Sequence, residues 1–330
     1  MSRQLLASLS HFSSLYLTAS PSRIAQVADS DSSELVINWH LTEACNYSCR
    51  YCYAKWHADE KRPELIRDPV ASEILIKAIF RQFAPTPANF DRLGMEWKAV
   101  RLSLAGGEPL LYGRDVVRIT RQAAAIGFKV SIISNGSRLT EELMSKLAPN
   151  LSVLGLSLDS INPATNRDIG RADKRDRTLQ LDEIVEVLSL GRRLNPMLKL
   201  KINTVVNALN FAEDLTPLIR KLAPDKWKIL RMLPTVTTDL AIAKHEFAQF
   251  LNRHDALADI ISAEDNSDMV ESYIMIDPRG RFFQNSGNCA GYRYSDPILN
   301  VGVDSAFIQI DWCPEKFKAR YTDLHPAPAL

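Results

Sequence analysis

The sequence predicts an α/β fold: a partial (β/α)6 TIM-like barrel, with an N-terminal extension and a C-terminal α+β extension closing the barrel. Three observations predict it. Six short runs rich in aliphatic residues alternate with stretches of helical periodicity, the pattern of parallel strands joined by crossover helices. Glycines and small polar residues gather just after those runs, where the loops of a βα barrel build active sites. Past about residue 235 the alternation stops, and short strands follow a single helix. The expected division is residues 1–34 as the N-terminal extension, 35–235 as the barrel, and 236–330 as the extension completing the site.

Leu5, Leu6, Leu9 and Phe12 recur at helical spacing, as a docked helix or a lipid-surface helix would. A Ser- and Asp-rich loop over about 20–34 leads into the first strand, 35–40. That strand alternates, with Val36, Asn38 and His40 on one face and Leu35, Ile37 and Trp39 on the other. A helix over 69–83 starts at Asp68-Pro69, and another ends near Gly127. Further strands are expected at 98–104, 129–133, 152–156, 199–206 and 226–230, with helices at 139–147, 180–193 and 212–222. Past the barrel come a helix over 240–252 and strands at 272–276 and 281–283, joined at Asp277-Pro278-Arg279-Gly280. The last five residues read as frayed, and no internal repeat or low-complexity segment interrupts the series.

Composition is ordinary for a soluble chain of 330 residues, and the net charge of +1 gives no bulk attraction to nucleic acid or to an anionic membrane. No run approaches the roughly 20 apolar residues of a membrane span. The first twenty residues lack the charged start and cleavage site of a signal peptide. No partner nucleic acid and no stable membrane association are expected. Five cysteines are few. Cys289 and Cys313 stand far apart and read as buried thiols.

The other three lie in Cys45-Asn46-Tyr47-Ser48-Cys49-Arg50-Tyr51-Cys52, spaced C-x3-C-x2-C. Thiolates this close are soft ligands for a metal or an iron–sulfur cluster. Zinc would need a fourth ligand, for which His40 and His57 are available without a familiar finger spacing. A trio instead suits a [4Fe–4S] cluster whose fourth iron stays open. This spacing, with an aromatic before the last cysteine, resembles the signature of the radical S-adenosylmethionine (SAM) superfamily.

The interior face of the predicted barrel is unusually cationic. On the fifth strand Leu200, Ile202 and Val206 suit the helices, while Lys199, Lys201 and Asn203 would point inward. Lys228 does the same on the sixth, with Trp227 and Ile229 outward. Arg101 and Ser103 share a face on the second, as Asn38 and His40 do on the first. Buried cations are costly unless paired, and these outnumber the acids that the sequence places inside. An anionic substrate would resolve the excess, and three cations suit a polyphosphate.

Longer segments resemble the viperin family, in its prokaryotic branch. They are Asn38-Trp39-His40-Leu41-Thr42-Glu43-Ala44-Cys45-Asn46-Tyr47, Gly106-Gly107-Glu108-Pro109, Ser134-Asn135-Gly136-Ser137, Ile169-Gly170-Arg171, Lys201-Ile202-Asn203-Thr204-Val205-Val206-Asn207 and Trp227-Lys228. Glu264-Asp265-Asn266-Ser267-Asp268-Met269, Ser272-Tyr273 and Arg281-Phe282 extend the resemblance to about residue 310. The chain departs from the animal proteins in its short N-terminal segment, in Tyr53-Ala54-Lys55-Trp56, and in Arg101, which stands where they have lysine.

The resemblance implies that Cys45, Cys49 and Cys52 hold the cluster and that SAM chelates its open iron. Tyr51, Gly106, Gly107, Glu108, Ser134, Asn135, Ser157 and Arg171 would then bind SAM. It implies a 5′-deoxyadenosyl radical that takes hydrogen from C4′ of a ribonucleoside triphosphate (CTP, UTP or GTP). The product would be a 3′-deoxy-3′,4′-didehydro nucleotide that terminates polymerases, in antiviral or antiphage defence. Asn38, Arg101, Lys201, Asn203 and Lys228 would hold this substrate, with Tyr273 the catalytic donor of a late proton or hydrogen. A flavodoxin or ferredoxin would supply electrons, in the cytoplasm. The alternatives are a radical SAM enzyme acting on a peptide or small metabolite, and a nucleotide-binding module without catalysis.

Overall fold

The computed structural model describes residues 34–53, 63–234, 237–285 and 292–320. The N-terminal helical periodicity, His57, Cys289, the stretch after Tyr53 and the chain end lie outside the described residues.

Strands β1 (Glu34–His40), β2 (Ala99–Ala105), β3 (Lys129–Ser134), β4 (Val153–Ser157), β5 (Lys199–Val206) and β6 (Lys226–Arg231) fall within one residue of expectation. They pair in sequence order, all parallel. Helices α1 (Pro69–Phe83), α2 (Pro87–Leu93), α3 (Gly113–Ile126), α4 (Glu141–Leu147), α5 (Pro163–Ile169), α6 (Leu181–Leu194) and α7 (Thr216–Leu222) connect them. Local chemistry sets their starts. The Asp68 carboxylate accepts from the Val70 and Ala71 amides ahead of Pro69, and Thr140 caps α4 by accepting from Leu143.

The six-strand series stands, and the C-terminal extension adds to it at both ends, first with a strand that the sequence did not predict. β7 (Ile261–Glu264), after α8 (Lys244–Arg253), pairs parallel with β6, and β8 (Ile274–Ile276) pairs parallel with β1. β9 (Arg281–Asn285) and β10 (Tyr292–Pro297) then run antiparallel beyond β8. The sheet order is β10-β9-β8-β1-β2-β3-β4-β5-β6-β7, open among the described residues between β7 and β10. The sequence hid β7 because Ile261-Ser262-Ala263-Glu264 has only one large apolar residue. The expected strand at 272–276 shortens to three residues, which leaves Ser272 and Tyr273 in the loop before it. Short helices α9 (Ile298–Val301), α10 (Val303–Phe307) and α11 (Pro314–Ala319) follow.

The two faces of the sheet differ as the alternation demands. Trp39, Leu102, Leu104, Ile132, Leu154, Leu156, Ile202, Trp227 and Ile229 are buried in one continuous core beneath the helices. Thr204 sits on this apolar face because its hydroxyl is satisfied twice: it donates to the Leu158 carbonyl (2.7 Å) and accepts from the Trp227 indole (2.9 Å). The other face carries the polar residues, and the site is built there. Among the described residues, no helix is long and apolar enough to cross a membrane.

Candidate active site

The cysteine loop leaves β1 and is clamped from two sides. On one side, the Gly107 and Glu108 amides donate to the Thr42 and Ala44 carbonyls, at 2.7 and 2.8 Å. The approach is so close that a Cβ on Gly107 would lie 2.3 Å from the Ala44 oxygen, and one on Gly106 2.7 Å from the Thr42 oxygen. These glycines thus have a structural cause in the loop's own backbone, beside any ligand they admit. On the other side, the Ser48 and Arg50 amides donate to the Gly170 and Ile169 carbonyls at the end of α5, at 3.0 and 2.9 Å. Glu64 supports the loop's entry, accepting from the Thr42 hydroxyl and the Glu43 amide.

Glu108 is fully buried. It accepts from the Leu110 amide (3.0 Å), the Ser134 hydroxyl (2.8 Å) and the Asn135 amide (2.7 Å), joining the ends of β2 and β3. Burial raises its pKa despite these donors. Asn135 also donates to Asn46 (3.0 Å) and reaches the Cys45 sulfur at 4.0 Å. Three elements that the motifs named separately therefore meet at the cysteine loop.

Asp159, which the sequence reading passed over, organises the opposite side. It is buried after β4, accepts from the Tyr51 hydroxyl and from the Val205 amide (2.9 Å), and pairs with Arg171 at 3.5 Å. Arg171 also donates to the Tyr51 hydroxyl (3.2 Å) and to the Ser157 carbonyl. A cavity of about 170 Å³ opens beside this network, lined among others by Tyr47, Asn135, Ser157, Ser160 and Arg171. The Tyr47 hydroxyl is buried with no hydrogen-bond partner. Tyr47 too was missed as a site residue, although its place between the first two cysteines was the available signal.

The expected excess of interior cations is corrected in part. Arg101 pairs with Glu34 (3.2 Å), which sits one residue ahead of the strand read from sequence. Lys228 pairs with Glu264 (2.7 Å), which lies on the unforeseen β7. Glu264 also meets Arg320 (3.1 Å) and accepts from the Tyr273 hydroxyl (2.6 Å), while Lys228 donates to the Tyr273 oxygen (3.1 Å). Burial alone would raise the pKa of Glu264, but Arg320 and Lys228 outweigh it and hold the carboxyl at about 2. Lys201 differs, since no ion pair holds it among the described residues. Burial first, then Lys228 and Arg101, push its pKa well below the ordinary lysine value. Lys199 is exposed at the rim, contrary to the inward expectation. Asn203 lies beside Lys228 in the strand register, and Asn38 donates to the Ile274 carbonyl at 3.4 Å.

Cys45, Cys49, Cys52 and Cys313 form no disulfides. Cys313 is only partly buried, less than expected, and faces Glu315. Among the described residues, no three His, Cys, Asp or Glu side chains are drawn into metal-binding range. The donor set of the loop nevertheless fits an iron–sulfur cluster: three soft thiols on one loop, near enough to perturb one another electrostatically. Burial pushes the Cys49 thiol up to about 12, so metal binding there must release protons. The orphaned Tyr47 hydroxyl and the cavity beside Arg171 fit a polar cofactor with a carboxylate.

Residues 39–190 match the Radical SAM superfamily. The chain is 43% identical over 291 residues to the S-adenosylmethionine-dependent nucleotide dehydratase of Psychrobacter lutiphocae, a match covering 88% of this chain and 95% of that one. It is 42% identical over 296 residues to the protein of the same name from Pseudoalteromonas ulvae, covering 88% and 94%. Among solved structures, native anSMEcpe with bound AdoMet shares the fold with a TM-score of 0.58 at 13% identity, covering 89% of this chain and 84% of that one.

Proposed function

The chain belongs to the S-adenosylmethionine-dependent nucleotide dehydratases of the radical SAM superfamily, and from that premise we propose that it dehydrates a ribonucleoside triphosphate to the 3′-deoxy-3′,4′-didehydro nucleotide. Cys45, Cys49 and Cys52 would hold the [4Fe–4S] cluster, and Arg171, Ser157, Asn135 and Tyr51 would surround SAM in the adjoining cavity. When bound, this pair supplies a 5′-deoxyadenosyl radical able to take the 4′-hydrogen. The remaining work falls to the chain's own residues.

The observation that carries the substrate class is Lys201. A largely buried lysine with no ion pair among the described residues, where Glu264 only partly offsets burial and the neighbouring cations, is unfavourable by itself and favourable beside a phosphate. Lys228 and Arg101 flank it and share their charge with Glu264 and Glu34, so the three cations present one anion-binding face. Asn38 and Asn203 would position sugar or phosphate. Loss of the 3′-hydroxyl as water requires a proton, and the Tyr273 hydroxyl is our candidate donor. It donates here to Glu264 and accepts from Lys228, so it would turn from Glu264 toward the nucleotide to give up the proton. A neutral peptide would leave the Lys201 charge unresolved, which disfavours that alternative. The electrons would come from a flavodoxin or ferredoxin in the cytoplasm.

Nucleotide binding should be accompanied by proton uptake. The triphosphate raises the depressed Lys201 pKa, so at any pH between the depressed free value and the raised bound value the amine gains charge on binding. Calorimetry in buffers of different ionisation enthalpy, repeated across pH up to the ordinary lysine range, should show this uptake within that window, and Lys201→Met should lose it. Identical heats in all buffers would contradict the assignment.

The direct test is an anaerobic assay of reconstituted protein with dithionite and SAM against CTP, UTP, GTP and ATP in turn. One triphosphate should stimulate 5′-deoxyadenosine release and yield a nucleotide lighter by one water. SAM cleavage that none of the four alters would sink the substrate claim.

A further inference from the structure

We propose that Asp159 is a positioning residue that locks Arg171 and Tyr51 together, so that SAM affinity depends on a carboxylate that need not touch SAM. The inference rests on the SAM-site reading above and goes beyond it, since no motif singled out this residue.

The geometry gives Asp159 no other evident task. Its carboxylate is buried, with a relative exposure of 1%. One oxygen accepts from the Val205 amide on β5 at 2.9 Å; the other faces both the Tyr51 hydroxyl and the Arg171 guanidinium. Its backbone is equally fixed. The Asp159 carbonyl accepts from Asn210 (2.8 Å), and the Leu158 amide and carbonyl are both bonded to β5. The carboxylate is therefore a rigid peg anchored to the sheet. Tyr51 belongs to the cysteine loop, and Arg171 follows the α5 turn on which that loop rests. Both elements also touch the sheet elsewhere, but their side chains converge on this one group.

A buried guanidinium needs a counter-charge and a fixed direction. Arg171 lines the cavity with Tyr47, Ser157 and Asn135. Its bonds to the Ser157 carbonyl and the Tyr51 hydroxyl, together with the Asp159 carboxylate, leave little freedom to turn. Removing the carboxylate has two opposed effects: the bare cation attracts the SAM carboxylate more strongly, but its aim is lost. Recognition of a carboxylate by arginine is directional, so loss of aim should dominate.

The test is SAM binding to anaerobically reconstituted Asp159→Asn, by calorimetry and by the change SAM produces in the electron paramagnetic resonance spectrum of the reduced cluster. SAM affinity should fall by about tenfold, the scale of partners one shell removed from a bound group. The spectral change should weaken, while iron content and nucleotide triphosphate affinity stay as in the unaltered enzyme. In an Arg171→Gln background the same substitution should cost less than about twofold, because its effect passes through Arg171. Unchanged or tighter SAM binding would overturn the proposal, as would equal losses in both backgrounds. If Asp159→Asn does not fold, Tyr51→Phe carries the test. It removes one hydroxyl from the same network and should weaken SAM binding by about threefold, the loss expected for a single hydrogen bond; no change would again overturn it. Failure of the unaltered enzyme to bind SAM would instead refute the cofactor reading.

Discussion

Replacing Lys201 and Lys228 together with alanine is expected to abolish nucleotide turnover while sparing iron content and SAM affinity. Each charge-assisted contact to a phosphate is worth about 2 kcal/mol, so losing two lowers kcat/KM by about a thousandfold. The two lysines should differ in stability. Lys201 has no ion pair among the described residues and its charged form is disfavoured there, so its removal relieves an electrostatic cost. Lys228 is paired with the buried Glu264, which keeps Arg320 and Tyr273 when the lysine is gone. Thermal melting should therefore fall more for Lys228→Ala than for Lys201→Ala, and Lys201→Arg should retain part of the turnover. Full activity in the double variant would show that the triphosphate sits elsewhere.

Gly107→Ala is expected to cost the protein its iron before it costs the fold. The added methyl would meet the Ala44 and Glu43 carbonyl oxygens at 2.3 and 2.7 Å, and backbone cannot rotate aside as a side-chain tip can. Overpacking of this kind costs about 1–3 kcal/mol. Relief comes most easily by pushing the cysteine loop off the Gly107 and Glu108 amides, which displaces the thiols. Iron content after reconstitution should drop by more than half, by the reasoning that a distorted ligand shell costs about tenfold or more in metal affinity. Gly94→Ala is the control. Gly94 closes α2 with φ of 65° and has nothing within 4 Å of the added methyl. It should lower stability by about 1 kcal/mol through backbone strain alone and leave iron loading intact. Normal iron content in Gly107→Ala would refute the clamp.

The sequence by itself determined the six-strand parallel series, the apolar outer face and the position of the cysteine loop. Each of these depends on local information: alternation along a strand, a cap at a helix start, three thiols within eight residues. The inward direction of Lys201, Asn203 and Lys228 was legible for the same reason, because side chains on a strand must alternate. Pairing partners were not legible. Glu34 and Glu264 balance Arg101 and Lys228 across strand neighbours, and β7, which brings Glu264, is too short and too polar to announce itself. The roles of Gly106 and Gly107 also changed, because the backbone approaching them comes from a loop some sixty residues earlier. Asp159 shows the limit most clearly. In sequence it is one acid in a polar loop after a strand; only the fold sets it between Tyr51 and Arg171, and buries it there. Burial and long-range contact decide the electrostatics of such groups, and neither is encoded in the spacing of neighbouring residues.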